Sequence, residues 1–245
     1  MLTGEGRENM RNQYHWLGMA LLPLLMLLAL SGEAVPAMQQ PTSYVALTFD
    51  DSPNRENTQR LLDGLKERGA KATFFIIGEQ VEGNEDLLRR MVDEGHQIGN
   101  HTYTHRRLDT TGAVGLEEVQ RTDAALRAAV GDGVFWVRPP WGFASPETLR
   151  EIGVPLVYWS VDTEDWSVRD AQKIAEQLER EVRSGDIVLL HDAYDTSVDA
   201  ALQAIDALGA RGFRFVTLQE LFERFGVEPE AGKLYSRPDT IRQVP

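Results

Sequence analysis

The chain has 245 residues, 42% hydrophobic and 26% charged, with a net charge of −13 and no cysteine. This composition suits one globular domain that is stable on its core alone. It excludes disulfides, thiolate ligands and thiol nucleophiles, so any metal must sit on His, Asp or Glu. With no basic stripe to neutralise phosphates, nucleic acid is not an expected partner, and the acidity favours a neutral substrate over a strongly anionic polymer.

Residues 1–37 read as an export segment. Arg7 and Arg11 precede an apolar run from Leu17 to Leu30, broken by Pro23 and followed by Val35-Pro36-Ala37. The run falls short of the roughly 20 apolar residues of a membrane span, so the expectation is a cleaved signal peptide, with membrane attachment only if it stays uncleaved. An exported protein, secreted or held at the cell wall, follows from that reading. A linker-like stretch, 38–43, leads to a catalytic domain expected over 44–225, and the polar tail 226–245 is expected to be surface or disordered.

From Tyr44 onward short apolar runs alternate with stretches of helical period, the pattern of βα units around a parallel sheet or barrel. Strands are predicted at Tyr44 to Phe49, Ala72 to Ile76, Gln97 to Gly99, Phe135 to Val137, Leu156 to Trp159, Ile187 to Leu190 and Phe213 to Val216. Helical stripes run Leu87-Leu88-Met91-Val92 before Gly95, Ile174-Leu178-Val182, Val198-Leu202-Ile205 before Gly209, and Leu218-Leu221-Phe222-Phe225 before Gly226.

The chemically able residues fall just after strand ends. Asp50 and Asp51 follow the first strand, His101 and His105 the third, Arg138 the fourth, Asp162 and Asp165 the fifth, and His191 the sixth. In a β/α barrel those ends converge on one face, so residues far apart in sequence can meet in one cleft. His101-Thr-Tyr-Thr-His105 places two imidazoles at i and i+4, a spacing that brings them to one face of a helical turn, and Asp51 can complete a set of two imidazoles and one carboxylate with an open position. Taken alone, such a pair is more often two ordinary surface histidines, and Asp-Asp-Ser-Pro is also good turn chemistry. Because side chains alternate along a strand, adjacent Asp50 and Asp51 are expected to point apart, one binding metal and the other acting as base. His191 ends a very apolar strand and is the candidate general acid. Arg138 lies in Arg-Pro-Pro-Trp-Gly, where two prolines stiffen the loop. Trp141 and Trp166 can be core residues or can stack on a sugar. His96 opens its strand, away from the catalytic end.

Thr48-Phe49-Asp50-Asp51, His101-Thr-Tyr-Thr-His105, Arg138-Pro-Pro-Trp-Gly142, Asp162-Thr-Glu-Asp-Trp166 and Leu189-Leu-His191, in this order, resemble the polysaccharide deacetylase family, also called carbohydrate esterase family 4. The resemblance implies an α/β fold, a single-domain distorted (β/α)7-like barrel, with one divalent metal, most commonly zinc, on Asp51, His101 and His105. It implies Asp50 as general base, His191 as general acid, Arg138 orienting the base and Asp165 paired with the acid. Trp166 and Leu189 would line the acetyl pocket, and the Trp141 N–H would help hold an oxyanion. The implied activity is removal of acetyl groups from N-acetylglucosamine residues of peptidoglycan, chitin or chitooligosaccharide. The alternatives are an O-acetyl esterase on xylan or a similar polymer, and an inactive glycan-binding module. Two departures stand out: Ser52 replaces the family's usual Gly, which matters if the loop needs a left-handed residue there, and Trp141 replaces a usual Tyr or Phe.

Overall fold

The computed structural model describes residues 43–109 and 113–243, so the predicted export segment and all but the last residue of the linker lie outside the described residues. Strands and helices follow in the order β1 (Ser43–Ser52), α1 (Arg55–Glu67), β2 (Ala72–Ile76), α2 (Glu85–Asp93), β3 (Gln97–Asn100), α3 (Ala113–Val130), α4 (Pro146–Glu151), β4 (Leu156–Val157), β5 (Val161–Asp162), α5 (Asp165–Val168), α6 (Ala171–Glu181), β6 (Ile187–His191), α7 (Asp195–Ala210), β7 (Phe213–Phe215), α8 (Leu218–Arg224), β8 (Leu234–Arg237) and β9 (Thr240–Ile241). No helix among the described residues is long and apolar enough to cross a membrane.

The main sheet runs β3-β2-β1-β6-β5, with β7 paired to the start of β1. Single parallel bridges, Asn100 to Val137 and Val137 to Leu156, carry the ladder on from β3 to β4, which pairs with β8. β4 and β5 therefore stand at opposite ends of the ladder, yet only three residues of chain, Tyr158 to Ser160, separate them. The sheet must curl on itself, and the result is the distorted α/β barrel.

Period-two alternation divides each central strand between two environments. In β1, Val45, Leu47 and Phe49 face the main cluster shared with the helices, as do Val188 and Leu190 of β6. Ala46 and Ile187 belong to a separate interior cluster. The same inner face continues along β1 to Thr48 and Asp50 and along β6 to Leu189 and His191. Thus the apolar pattern that seats the helices also aims the polar residues into the barrel mouth.

Where the structure departs from the sequence reading, the causes are local. The fourth strand shrinks to Val137, because Pro139 and Pro140 follow at once and neither can donate to a ladder. The fifth splits into β4 and β5. The tail is not simply surface: Leu234 and Tyr235 are buried, and β8 pairs with β4. Two apolar residues in a polar stretch suffice for a short edge strand but give no sequence pattern. α7 continues through Gly209 to Ala210, and in α2 Val92 turns outward while Leu87, Leu88 and Met91 are buried.

Candidate active site

β1 ends in a bulge, its register against β2 shifting between Phe49 and Ser52, and Asp51 is left-handed at φ 62°. This breaks the alternation on which the sequence reading relied. Asp50 and Asp51 do not diverge: an Oδ2 of Asp50 and an Oδ1 of Asp51 each lie 3.6 Å from His101 Nε2. The left-handed residue is Asp51 and not Ser52, whose backbone carries no such demand; Asp tolerates that conformation better than most residues.

The two imidazoles also converge by a route other than the one expected. Residues 101–107 form a loop and not a helical turn, with Thr102 at φ 66° and His105 at φ 57°, and the rings sit 4.9 Å apart between centroids. His101 Nδ1 lies 2.8 Å from the Arg138 carbonyl oxygen. Since a carbonyl only accepts, Nδ1 carries a proton, and Nε2 is the ring nitrogen that faces the carboxylates. His105 Nε2 is 3.2 Å from Asp51 Oδ1. Burial and the neighbouring His101 push the His105 pKa down, over the opposing pull of Asp51 and Asp50, which favours the neutral form, the one able to bind a cation.

One ligand atom each from Asp51, His101 and His105 fall within 4.8 Å of one another, and Asp51 Oδ1 is buried without a hydrogen-bond partner. A buried, unpartnered carboxylate oxygen beside two imidazole nitrogens is a poor arrangement for an isolated protein and a good one for a divalent cation. The donor set therefore fits a metal, with an N,N,O set that suits zinc among others.

Arg138 is fully buried, 0% exposed, despite its charge. Its Nη1 donates to Thr48 Oγ1 at 2.7 Å and to Asp50 Oδ1 at 2.8 Å, and its Nη2 donates to the Tyr158 carbonyl at 2.9 Å. Burial works against the Asp50 charge, but Arg138 foremost, then His101 and His191, outweighs it and holds the carboxyl below its ordinary range. Asp50 is accordingly ionised and fixed.

His191 is the register partner of Asp50 on the adjacent strand. Asp165, buried at the start of α5, accepts from the His191 backbone N–H at 2.8 Å and faces Nδ1 at 2.8 Å. Burial lowers the His191 pKa, but the hydrogen bond and charge of Asp165, with Asp50 and Asp51 behind, raise it to about 9. Its Nε2 is thereby a charged donor at neutral pH.

All of these groups except the buried Arg138 and Asp165 line one cavity of about 380 Å³, together with Trp141, Trp159, Asp162, Trp166, Leu189 and Tyr194. Trp141 and Trp166 are not core residues: they are 57% and 56% exposed at the rim. Trp141, left-handed at φ 53°, places its ring 4.3 Å from that of His105. Gly142 after it is also left-handed, and a Cβ there would meet the Tyr158 ring at 2.1 Å, so this turn requires glycine. Leu189 sits two residues before His191 on the inner face of β6. Sequence reasoning missed Trp159 and Tyr194 as wall residues. Trp159 ends a predicted strand, which was a usable signal. Tyr194, three residues past His191, gave none.

An open α/β barrel whose mouth holds a buried acid–base pair and a carboxylate–imidazole cluster has the make-up of a hydrolase. A family model for polysaccharide deacetylases matches residues 37–157. The chain is 36% identical over 201 residues, 82% of its length, to the peptidoglycan-N-acetylglucosamine deacetylase PgdA of Listeria monocytogenes, although the match spans only 42% of that protein. It is 37% identical over 197 residues to a chitooligosaccharide deacetylase of Sinorhizobium fredii, covering 73% of this chain and 92% of that one. A family 4 acetyl xylan esterase from Clostridium thermocellum, solved in complex with a cobalt ion, superposes with a TM-score of 0.76 at 32% identity over 80% of this chain and 100% of that one. The chain belongs to the polysaccharide deacetylase family, which supports a hydrolytic deacetylase.

Proposed function

We propose that the protein is a metal-dependent N-deacetylase acting on N-acetylglucosamine residues of peptidoglycan or a chitin-like glycan, exported to meet its substrate. The observation that carries this reading is the pairing of an ionised, Arg138-held Asp50 with a protonated, Asp165-held His191 on adjacent strands, beside the Asp51–His101–His105 cluster. Amide hydrolysis needs both a base and an acid, because the amine is a very poor leaving group without a proton.

Asp51, His101 and His105 would hold the cation, zinc being the expected one. When bound, it supplies Lewis acidity toward the acetyl oxygen and the attacking water. Asp50 removes a proton from that water, and its lowered pKa keeps it available. The Trp141 N–H, in its left-handed turn, would donate to the developing oxyanion, a contribution of about 3 kcal/mol for a well-directed donor. His191 Nε2 delivers its proton to the departing nitrogen. Leu189 gives the acetyl methyl an apolar wall, and the exposed indoles of Trp141 and Trp166 offer faces on which sugar rings stack.

O-deacetylation of xylan uses the same groups on an easier leaving group, and the Clostridium thermocellum esterase keeps that reading in view. Acetate release from N-acetylglucosamine oligomers, peptidoglycan fragments and acetylated xylan, measured after chelation and again with added zinc, decides between them. Zinc-restored release from the oligomers or fragments supports the amidase, and release from xylan alone moves the assignment to the esterase. Glycan binding without acetate release in the metal-loaded protein would leave an inactive binding module.

A further inference from the structure

The loop that carries both metal-binding histidines is made from sterically uncommon backbone, so something must hold it. Thr102 and His105 are both left-handed and neither is glycine. Such conformations persist where surrounding contacts over-determine them. Three of those contacts are ordinary neutral hydrogen bonds: Thr102 N–H to Asn100 Oδ1 at 2.9 Å, Gly78 N–H to the Thr102 carbonyl at 2.9 Å, and Glu79 N–H to the Tyr103 carbonyl at 3.0 Å.

The fourth is different. Glu118, on α3, is 5% exposed, and its carboxylate takes the Thr104 backbone N–H at 2.6 Å and the Thr104 hydroxyl at 3.0 Å. Among the described residues Glu118 forms no ion pair. A buried carboxyl with no cation beside it is expensive unless it is hydrogen-bonded, so the bonds that Thr104 donates to it are costly to break. Both donors to this side chain belong to one residue, Thr104, which stands immediately before His105 and three residues after His101. Thr104 is therefore pinned to a rigid helix at the point where the loop must turn to bring the second imidazole to Asp51.

We infer that Glu118 is a positioning residue for the cation site: it fixes the His101–His105 loop through Thr104 and so sets the affinity for metal, without touching metal or substrate. The inference rests on the reading of Asp51, His101 and His105 as a metal site. Partners hydrogen-bonded to a metal's ligands typically change affinity 10- to 100-fold when lost, and Glu118, acting through the residue beside His105, is expected at the lower end of that range.

The test is titration of the full-length protein with cobalt(II), reading the dissociation constant and the visible absorption of the bound ion. Glu118→Ala should weaken binding at least tenfold and alter the absorption bands. Glu118→Gln, whose amide oxygen can still accept from Thr104 N–H, should recover most of the affinity. Leu126→Ala, a fully buried change on the same helix that leaves Thr104 alone, should shift binding less than twofold while lowering stability. Equal affinities in wild type and Glu118→Ala, or an equal loss in Leu126→Ala, would overturn the inference. Should Glu118→Ala not fold, Thr104→Val carries the test: severalfold weakening supports the clamp, and unchanged binding overturns it. If instead wild type takes no cobalt, or Asp51→Ala binds it as wild type does, the metal-site reading itself fails.

Discussion

Replacing Asp165 by Asn probes the general acid without altering its shape. The carboxylate accepts from both the His191 N–H and Nδ1–H, each at 2.8 Å. An Asn can accept only one of them with its oxygen, and its NH₂ then faces the other position. That arrangement favours a neutral imidazole whose Nδ1 accepts. With the Asp165 charge gone, burial is opposed only by Asp50 and Asp51, and the His191 pKa should fall from about 9 toward or below its ordinary 6.5. At pH 8 the protonated fraction then drops from roughly nine-tenths to about 3%, a thirtyfold loss; at pH 6 the loss from protonation is less than about twofold. Any damage to the orientation of the ring is the same at both pH values, so the difference between them isolates the proton. The assay is the initial rate of acetate release at saturating glycan from pH 5.5 to 10, with metal in excess. A variant profile parallel to wild type, reduced by one factor throughout, would refute the argument that Asp165 acts by keeping His191 charged.

Arg138→Met leaves Asp50 buried and unpaired, which costs on the order of 3 to 5 kcal/mol; the acid limb of the rate profile should also move to higher pH, and an unmoved limb in a folded variant would deny Arg138 its role on the base. Asp192 is fully buried, with its pKa raised to about 6 chiefly by burial. A raised carboxyl favours the folded state below pH 3.8 and loses that contribution as pH climbs through 6, so Asp192→Asn should be more stable than wild type at pH 7.5, by up to about 3 kcal/mol, and no more stable near pH 4, as read by urea midpoints. Equal midpoints at both pH values would show that Asp192 is not strained by its charge. His96 is buried with its Nδ1 accepting from Ala72 N–H and its pKa lowered to about 4 by burial and then Lys71. Its contribution is complete above pH 6.5 and shrinks as pH falls toward 4, amounting to about 2 kcal/mol lost by pH 5; a His96→Gln variant should show correspondingly less acid destabilisation in melts at pH 7 and pH 5.

Most of the barrel was legible because parallel strands covered on both faces are nearly continuous apolar runs, and β1, β2 and β6 are so apart from Thr48, Thr73 and the polar residues at their ends. Trp159 and Tyr194 were not singled out, but the titratable residues of the candidate site were legible because they fall shortly after predicted strands. Their geometry was not. Alternation says that Asp50 and Asp51 diverge, and a single left-handed residue in a bulge cancels it. Spacing says that His101 and His105 share a helical face, whereas a loop with two left-handed residues brings them together. Both errors have one origin: backbone strain at a functional site leaves no mark in hydrophobic period. β8 escaped for the opposite reason, since Leu234 and Tyr235 are too short a run to stand out from the polar tail. Glu118 and Asn100, which brace the histidine loop, look like ordinary helix and strand-end polar residues until their partners are seen.

The site separates two titratable neighbours by giving each its own buried counter-ion. Asp50 and His191 are cross-strand partners on β1 and β6, and left to each other they would share one proton ambiguously. Arg138, arriving from beyond β3, fixes Asp50 as a carboxylate; Asp165, arriving from beyond β5, fixes His191 as an imidazolium. Neither counter-ion lines the cavity, so each pairing is shielded from the water that fills it. Curling the sheet is what lets Arg138 do this, because Val137 lies beyond β3 while Asp50 is on β1, whereas Asp165 follows β5, the direct neighbour of β6. A flat sheet carrying the same residues at the same strand ends would leave Arg138 too far from Asp50 to brace it, while Asp165 would still reach His191.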